Sequence, residues 1–137
     1  MKLMIDTNII LDAMMEREPW AKAAQNIMLA IAEDKAEGYI TASTITDIYY
    51  FLRKRFNNRS KIKQTLISLL SLVKVLDVNG ADCEMAFDMP MPDYEDALLA
   101  CCGKRHKMDR IVTRDLKHFI GSPIKASIPE DIHLTHA

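Results

Sequence analysis

Four short apolar runs, KLMI, YITAS, VKVLDV and RIVTRD, recur along this chain, and stretches with helical periodicity separate them. Short buried strands that alternate with helices do not pair as hairpins. They pair in parallel through helical crossovers, with helices covering both faces of one sheet. The expected architecture is a three-layer α/β/α sandwich around a central, mainly parallel sheet. At 137 residues, 49% of them hydrophobic, the chain has the size of one such domain spanning residues 1–137.

The remaining elements are read the same way. PWAKAAQNIMLAIAEDKAEG is expected to form a helix with proline at its start and glycine at its end. TITDIYYFLRKRF forms another, with Ile45, Ile48, Tyr49 and Leu52 on one side, and SKIKQTLISLLSLV a third. Met14 and Met15 are assigned to a short helix after Asp12. The acidic helix GADCEMAFD is separated by the breaker MPMP from the helix DYEDALLACCGKRHK. The tail GSPIKASIPEDIHLTH reads as loop with one last edge strand.

No apolar run approaches the roughly 18 residues that span a bilayer, and the N-terminus lacks the apolar core and cleavage site of a signal peptide. A cytosolic protein with no membrane association is expected. Three cysteines, two of them the adjacent Cys101 and Cys102, without C-x-x-C spacing, read as reduced core thiols rather than zinc ligands. The four histidines, His106, His118, His133 and His136, lack metal spacing and are assigned no role. Of the nine methionines, Met28 reads as core filling, whereas Met14 and Met15 suit a partner-peptide groove or a dimer seam.

The net charge of -1 conceals two poles. Arg53, Lys54, Arg55, Arg59, Lys61 and Lys63 form a basic stretch without an acid, and Asp77 to Asp96 contains seven acids and no base. The basic stretch and the later KRHKMDR could contact phosphates, with Tyr49, Tyr50 or Phe56 offering stacking faces. Solvated helix faces are the plainer reading of such runs, and Tyr49 the more natural core residue.

Ligands of parallel α/β sheets bind beyond the carboxyl ends of the strands, and four acids fall there. Asp6 ends the first strand, Asp47 lies in the first turn of the helix after YITAS, Asp96 in the first turn of the helix after MPMP, and Asp115 ends RIVTRD. Each has a local explanation. Thr44 with Asp47, and Asp93 with Asp96, have capping-box spacing; Asp6 suits an Asx turn, and Asp115 suits the cap of a short helix starting at Leu116. Independent caps need not gather at one end of one sheet, however. Two carboxylates about 4 Å apart repel by about 4 kcal/mol at an effective dielectric of 20, and a divalent cation relieves this at neutral pH. Oxygen ligands without histidine or thiolate favour Mg²⁺ or Mn²⁺ over zinc, and Thr7, Asn8 and Thr113 could hold metal-bound waters or orient the carboxylates. Such a cluster suits phosphodiester hydrolysis, in which a cation activates water and stabilises the in-line transition state.

MIDTNIILD, the acid in STITDIYYFL, DYEDALLA and IVTRD, in this order from Lys2 to about Phe119, together resemble a PIN domain. The resemblance implies a Rossmann-like fold and a Mg²⁺- or Mn²⁺-dependent ribonuclease. Among small bacterial members this is most often the toxin of a VapBC-type toxin–antitoxin pair, with an antitoxin partner and common homodimers. Asp6, Asp47, Asp96 and Asp115 match the four family acids, and Thr7, Asn8 and Thr113 the accompanying polar residues. Asp47 stands where glutamate is usual, one methylene shorter, so water-mediated ligation is open for it. Asp93, one turn before Asp96, is either a further ligand or only a cap. The alternative function is a non-catalytic PIN-like module that binds RNA or protein. An aspartyl-phosphate receiver fits worse, because paired acids after the first strand and a lysine after a late strand are missing.

Overall fold

The computed structural model describes residues 1–134. Strands β1 (Lys2–Ile5), β2 (Glu37–Thr41), β3 (Val73–Leu76), β4 (Arg110–Val112) and β5 (Ala126–Ser127) form one sheet in the order β3-β2-β1-β4-β5, and all neighbours are parallel. Helices α1 (Thr7–Met14), α2 (Ala21–Ala32), α3 (Ala42–Arg55), α4 (Arg59–Leu72), α5 (Gly80–Phe87) and α6 (Tyr94–Arg105) cover its faces, and a 3-10 turn spans Leu116–Phe119. This is the expected α/β/α sandwich. Its strand order reverses at β1, so β1 and β4 flank the crevice at the topological switch point.

Strand alternation divides the core in two. Leu3, Ile5, Ile40, Val73 and Val112 pack with residues of α1 to α4, including Ile9, Ile27, Ile48 and Leu69. Met4, Tyr39, Leu76 and Ile111 pack on the other side with Ala100 and Cys102 of α6. Met28 and Tyr49 border the first of these cores, as expected. Cys101 and Cys102 are buried free thiols and Cys83 is half-buried; burial pushes the Cys102 thiol up to about 11, in keeping with an inert core residue. Among the described residues no helix is long and apolar enough to cross a membrane. His136 lies outside the described residues.

Several boundaries differ from the sequence reading. Helix α1 begins at Thr7, directly after Asp6, and not after Asp12, which is buried within it. The acid DTN start carries no strong helix signal, and packing of Ile9, Ile10 and Leu11 decides the element. Strand β2 ends at Thr41, so Ala42 and Ser43 of YITAS already belong to α3. Asp47 therefore sits in the second turn of α3. The Thr44–Asp47 capping box is not formed, because Thr41 is the N-cap and its hydroxyl lies 3.4 Å from that of Thr44.

Gly38 is the other correction. Helix α2 ends at Ala32, and Gly38 lies inside β2 rather than closing the helix. A Cβ there would stand 2.7 Å from Ile31 Cδ1 and 3.0 Å from Val73 Cγ1, so the glycine permits close approach of α2 and β3 to the strand. Gly38→Ala is expected to overpack this contact and cost about 1–3 kcal/mol, seen in urea unfolding as a lower midpoint with an unchanged slope.

Candidate active site

Strand β1 stops at Ile5 because the next residues turn directly into α1, leaving Asp6 at the N-cap with its backbone N–H donated to Val112 O at 3.0 Å. Its side chain makes no cap hydrogen bond. Instead Asp6 Oδ2 accepts the hydroxyl of Thr113 at 2.8 Å, across the junction between β1 and β4. Thr113 is fully buried, and its Oγ1 also accepts the N–H of Asp115 at 3.0 Å. One hydroxyl thus ties the carboxylate after β1 to the turn after β4. Asp115 occupies the N-cap of the 3-10 turn, again without a side-chain cap bond.

Asp96 enters from α6. Asp93 caps this helix, its Oδ1 accepting the Asp96 N–H at 3.0 Å. Asp96 Oδ2 lies 3.2 Å from His118 Nδ1. Burial, then the charges of Asp93 and Asp6, push the Asp96 carboxyl up to about 6 against the opposing pull of His118. Asp6 is also raised, chiefly by burial, with Thr113 and the Thr7 N–H opposing and Asp115 adding repulsion. Asp6 thus feels the charge of Asp115, and Asp96 feels that of Asp6.

Asp47 stands apart. It lines the same cleft, of about 500 Å³, but its carboxyl is raised only by burial. Its charge is felt instead by Glu95, which is raised by burial, then by Asp47, Asp93 and Asp6. Glu95 and His118 were not singled out by sequence reasoning. A second acid in the first turn of α6 and a histidine three residues beyond Asp115 were the available signals. Thr7, Thr41 and Ser43 add hydroxyls to the cleft wall. Asn8 does not: its Oδ1 accepts at 3.2 Å from Nη2 of Arg17, in the loop between α1 and α2.

The basic stretch lies elsewhere. Arg53, Lys54 and Arg55 end α3 and Arg59, Lys61 and Lys63 begin α4, all exposed and none lining the cleft. Lys54 is seven residues from Asp47, about 10 Å along the helix axis. Arg55 lies over the Phe51 ring and Lys61 over Phe56. From KRHKMDR, Arg105 is already committed to Asp82 and Asp77.

Among the described residues no three His, Cys, Asp or Glu side chains are arranged so that together they could hold a metal ion. A zinc site of the structural kind is thus a poor fit. Mg²⁺ keeps several waters and commonly takes only one or two carboxylates, and Asp6 and Asp96, which line the cleft together, offer two. The donor chemistry fits a hydrated hard cation.

A Rossmann-like sheet with a carboxylate-lined cleft beyond the carboxyl ends of β1, β2 and β3 defines the class; Asp6, Asp47, Glu95 and Asp96 line this cleft, whereas Thr113, Asp115 and His118 adjoin it through Asp6 and Asp96. A sequence profile described as PIN domain matches residues 2–117, and the chain belongs to the PIN domain family. No curated protein sequence matches it. Its fold is similar to the crystal structure of FitAcB from Neisseria gonorrhoeae, with 18% identity, TM-score 0.71 and 95% of this chain and 99% of that chain covered. VapBC-1 from nontypeable Haemophilus influenzae gives 19% identity, TM-score 0.69 and coverage of 96% and 100%. A toxin-antitoxin complex from Klebsiella pneumoniae gives 19%, 0.69, and 95% and 99%.

Raised carboxyls have a consequence for stability. Between about pH 4 and pH 6 the folded chain holds a proton on Asp96 that the unfolded chain has released, so stability falls as pH rises through that window. In EDTA, Asp96→Asn is expected to melt higher than wild type at pH 7.5, with the gain shrinking towards pH 4. A gain independent of pH, measured by calorimetry, would contradict the electrostatic origin.

Proposed function

We propose that this chain is a Mg²⁺- or Mn²⁺-dependent endoribonuclease and the toxin of a type II toxin–antitoxin pair. The observation that carries the reading is that Asp6 and Asp115 occupy cap positions at the switch point without spending their side chains on capping, while Asp96 of α6 shares the cleft with Asp6 and feels its charge. Asp6, Asp96 and Asp115 would hold the cation, and Asp47 would act through water. Bound there, the cation would supply Lewis-acid activation of water and neutralise charge developing on the phosphoryl group. Thr113 orients Asp6 by its hydrogen bond. The hydroxyls of Thr41 and Ser43 line the wall along which a phosphodiester would lie.

RNA would be drawn by the basic turn between α3 and α4. Arg59 and Lys61 sit at a helix N-terminus, where the macrodipole disfavours cations and a phosphate would be favoured. An antitoxin segment has a separate place. An apolar groove of about 400 Å³ between α1, α2 and α4, lined by Ile10, Met14, Met28, Leu69 and Leu72, suits an aliphatic partner helix. One of the similar solved structures is a toxin-antitoxin complex, which supports an antitoxin partner. The resemblance also suggests a homodimer.

Purified protein is expected to cleave a mixed RNA pool with Mn²⁺ or Mg²⁺ and not in EDTA, and Asp96→Asn to lower the rate at least about 100-fold. Equal inertness of both proteins, with a bound metal still detected by calorimetry, would favour the non-catalytic binding module.

Removing charge at Arg53, Lys54 and Arg55 should flatten the dependence of log K on log salt by about 2 if all three contact phosphates. An unchanged slope would exclude this turn as the RNA contact.

A further inference from the structure

Asp12 is fully buried, and both of its oxygens are engaged. Oδ1 accepts from Arg17 Nε at 2.8 Å and Oδ2 from Arg114 Nε at 2.9 Å, with Arg114 Nη2 3.4 Å from Oδ1. Arg17 reaches on to Asn8, through Nη2 to Oδ1 at 3.2 Å and to the backbone O at 3.4 Å. The Arg114 guanidinium lies 4.0 Å over the Trp20 ring. The chain of contacts thus runs from the first turn of α1 to the turn after β4.

Arg114 stands between Thr113 and Asp115, the two residues of that turn that act on Asp6. Thr113 bonds Asp6 and the Asp115 N–H, while Arg114 is drawn to the opposite side, into α1. Buried ion pairs add little net stability compared with apolar packing, and their contribution is geometric: a guanidinium fork admits few arrangements. Here it fixes a three-residue turn whose acid faces another acid, a place where repulsion would otherwise spread the two apart.

We propose that Asp12, acting through Arg114, is a positioning residue that sets Asp115 against Asp6 in the cation-binding arrangement. This deepens the nuclease reading and rests on it. Arg114→Met is the most telling variant, because Coulomb's law alone would make loss of a cation beside an acidic site tighten metal binding. A weakening reports lost geometry.

The experiment is a Mn²⁺ titration by calorimetry, with RNA cleavage kinetics in parallel. Arg114→Met is expected to weaken Mn²⁺ affinity about tenfold or more, and to lower kcat while KM for RNA stays within about twofold. Arg114→Lys, which keeps the charge without the fork, should fall between and guards against a Met variant that fails to fold. Ile62→Val, a core truncation away from the cleft, should lower the melting temperature with Mn²⁺ affinity retained. In an Asp115→Asn background, Arg114→Met should add little further loss, since it acts through that carboxylate. Wild-type affinity in folded Arg114→Met, or full additivity with Asp115→Asn, overturns the inference and leaves the nuclease reading intact. A wild type that neither binds Mn²⁺ nor cleaves RNA overturns both.

Discussion

The Thr113 hydroxyl, donating to Asp6 and accepting from the Asp115 N–H, joins the ends of two neighbouring parallel strands. Everything at the cleft depends on this junction. Parallel pairing in register, Ile5 beside Val112, brings the residues after β1 and β4 to the same edge, and the reversal of strand order opens a crevice between their helices. A buried hydroxyl can serve two partners at once, so one side chain both orients a carboxylate and starts the turn that presents the next.

Caps and ligand-type acids are distinguished by where their oxygens go. Asp93 and Asp82 spend theirs on helix N-termini, Asp82 within a capping box with Asn79. Asp6 and Asp115 occupy cap positions and do not. The difference is energetic as well as geometric. The carboxyl of Asp82 is held low, first by its hydrogen bond with Arg105, whereas burial and neighbouring negative charge push Asp6 and Asp96 up. A fold that keeps two carboxyls in such surroundings carries a cost that a bound cation would remove.

Much of this was readable from the chain because the strands are short apolar runs that end in acids, and periodicity located the helices between them. Asp6 and Asp115 were legible for that reason, and Asp96 because MPMP isolates its helix. The start of α3 was not, since Ala42 and Ser43 carry no stop signal and sheet pairing with β3 decides where β2 ends. Asn8 was read as a cleft residue because its partner Arg17 is placed by tertiary structure. The Asp12–Arg114 pair was invisible for the same reason: its members are 102 residues apart. His118 reaches Asp96 through the packing of α6 against the 3-10 turn, a contact no local pattern encodes.

Two clamps between a buried aspartate and a partly exposed arginine recur at the carboxyl ends of the strands. Asp12 holds Arg114 in the turn after β4, and Asp82 holds Arg105, whose Nη2 also donates to the Asp77 carbonyl at 2.6 Å in the loop after β3. Asp77 lines the cleft, and Asp115 follows Arg114 directly. In each case a charged fork fixes a cleft loop to a helix that also carries apolar core contacts. Apolar packing alone would hold these loops with less directional constraint, because dispersion contacts tolerate sliding where bidentate hydrogen bonds do not. Loops that bear or border repelling carboxylates need that constraint, and the rest of the sheet, whose edges carry no such charge crowding, is held by aliphatic packing.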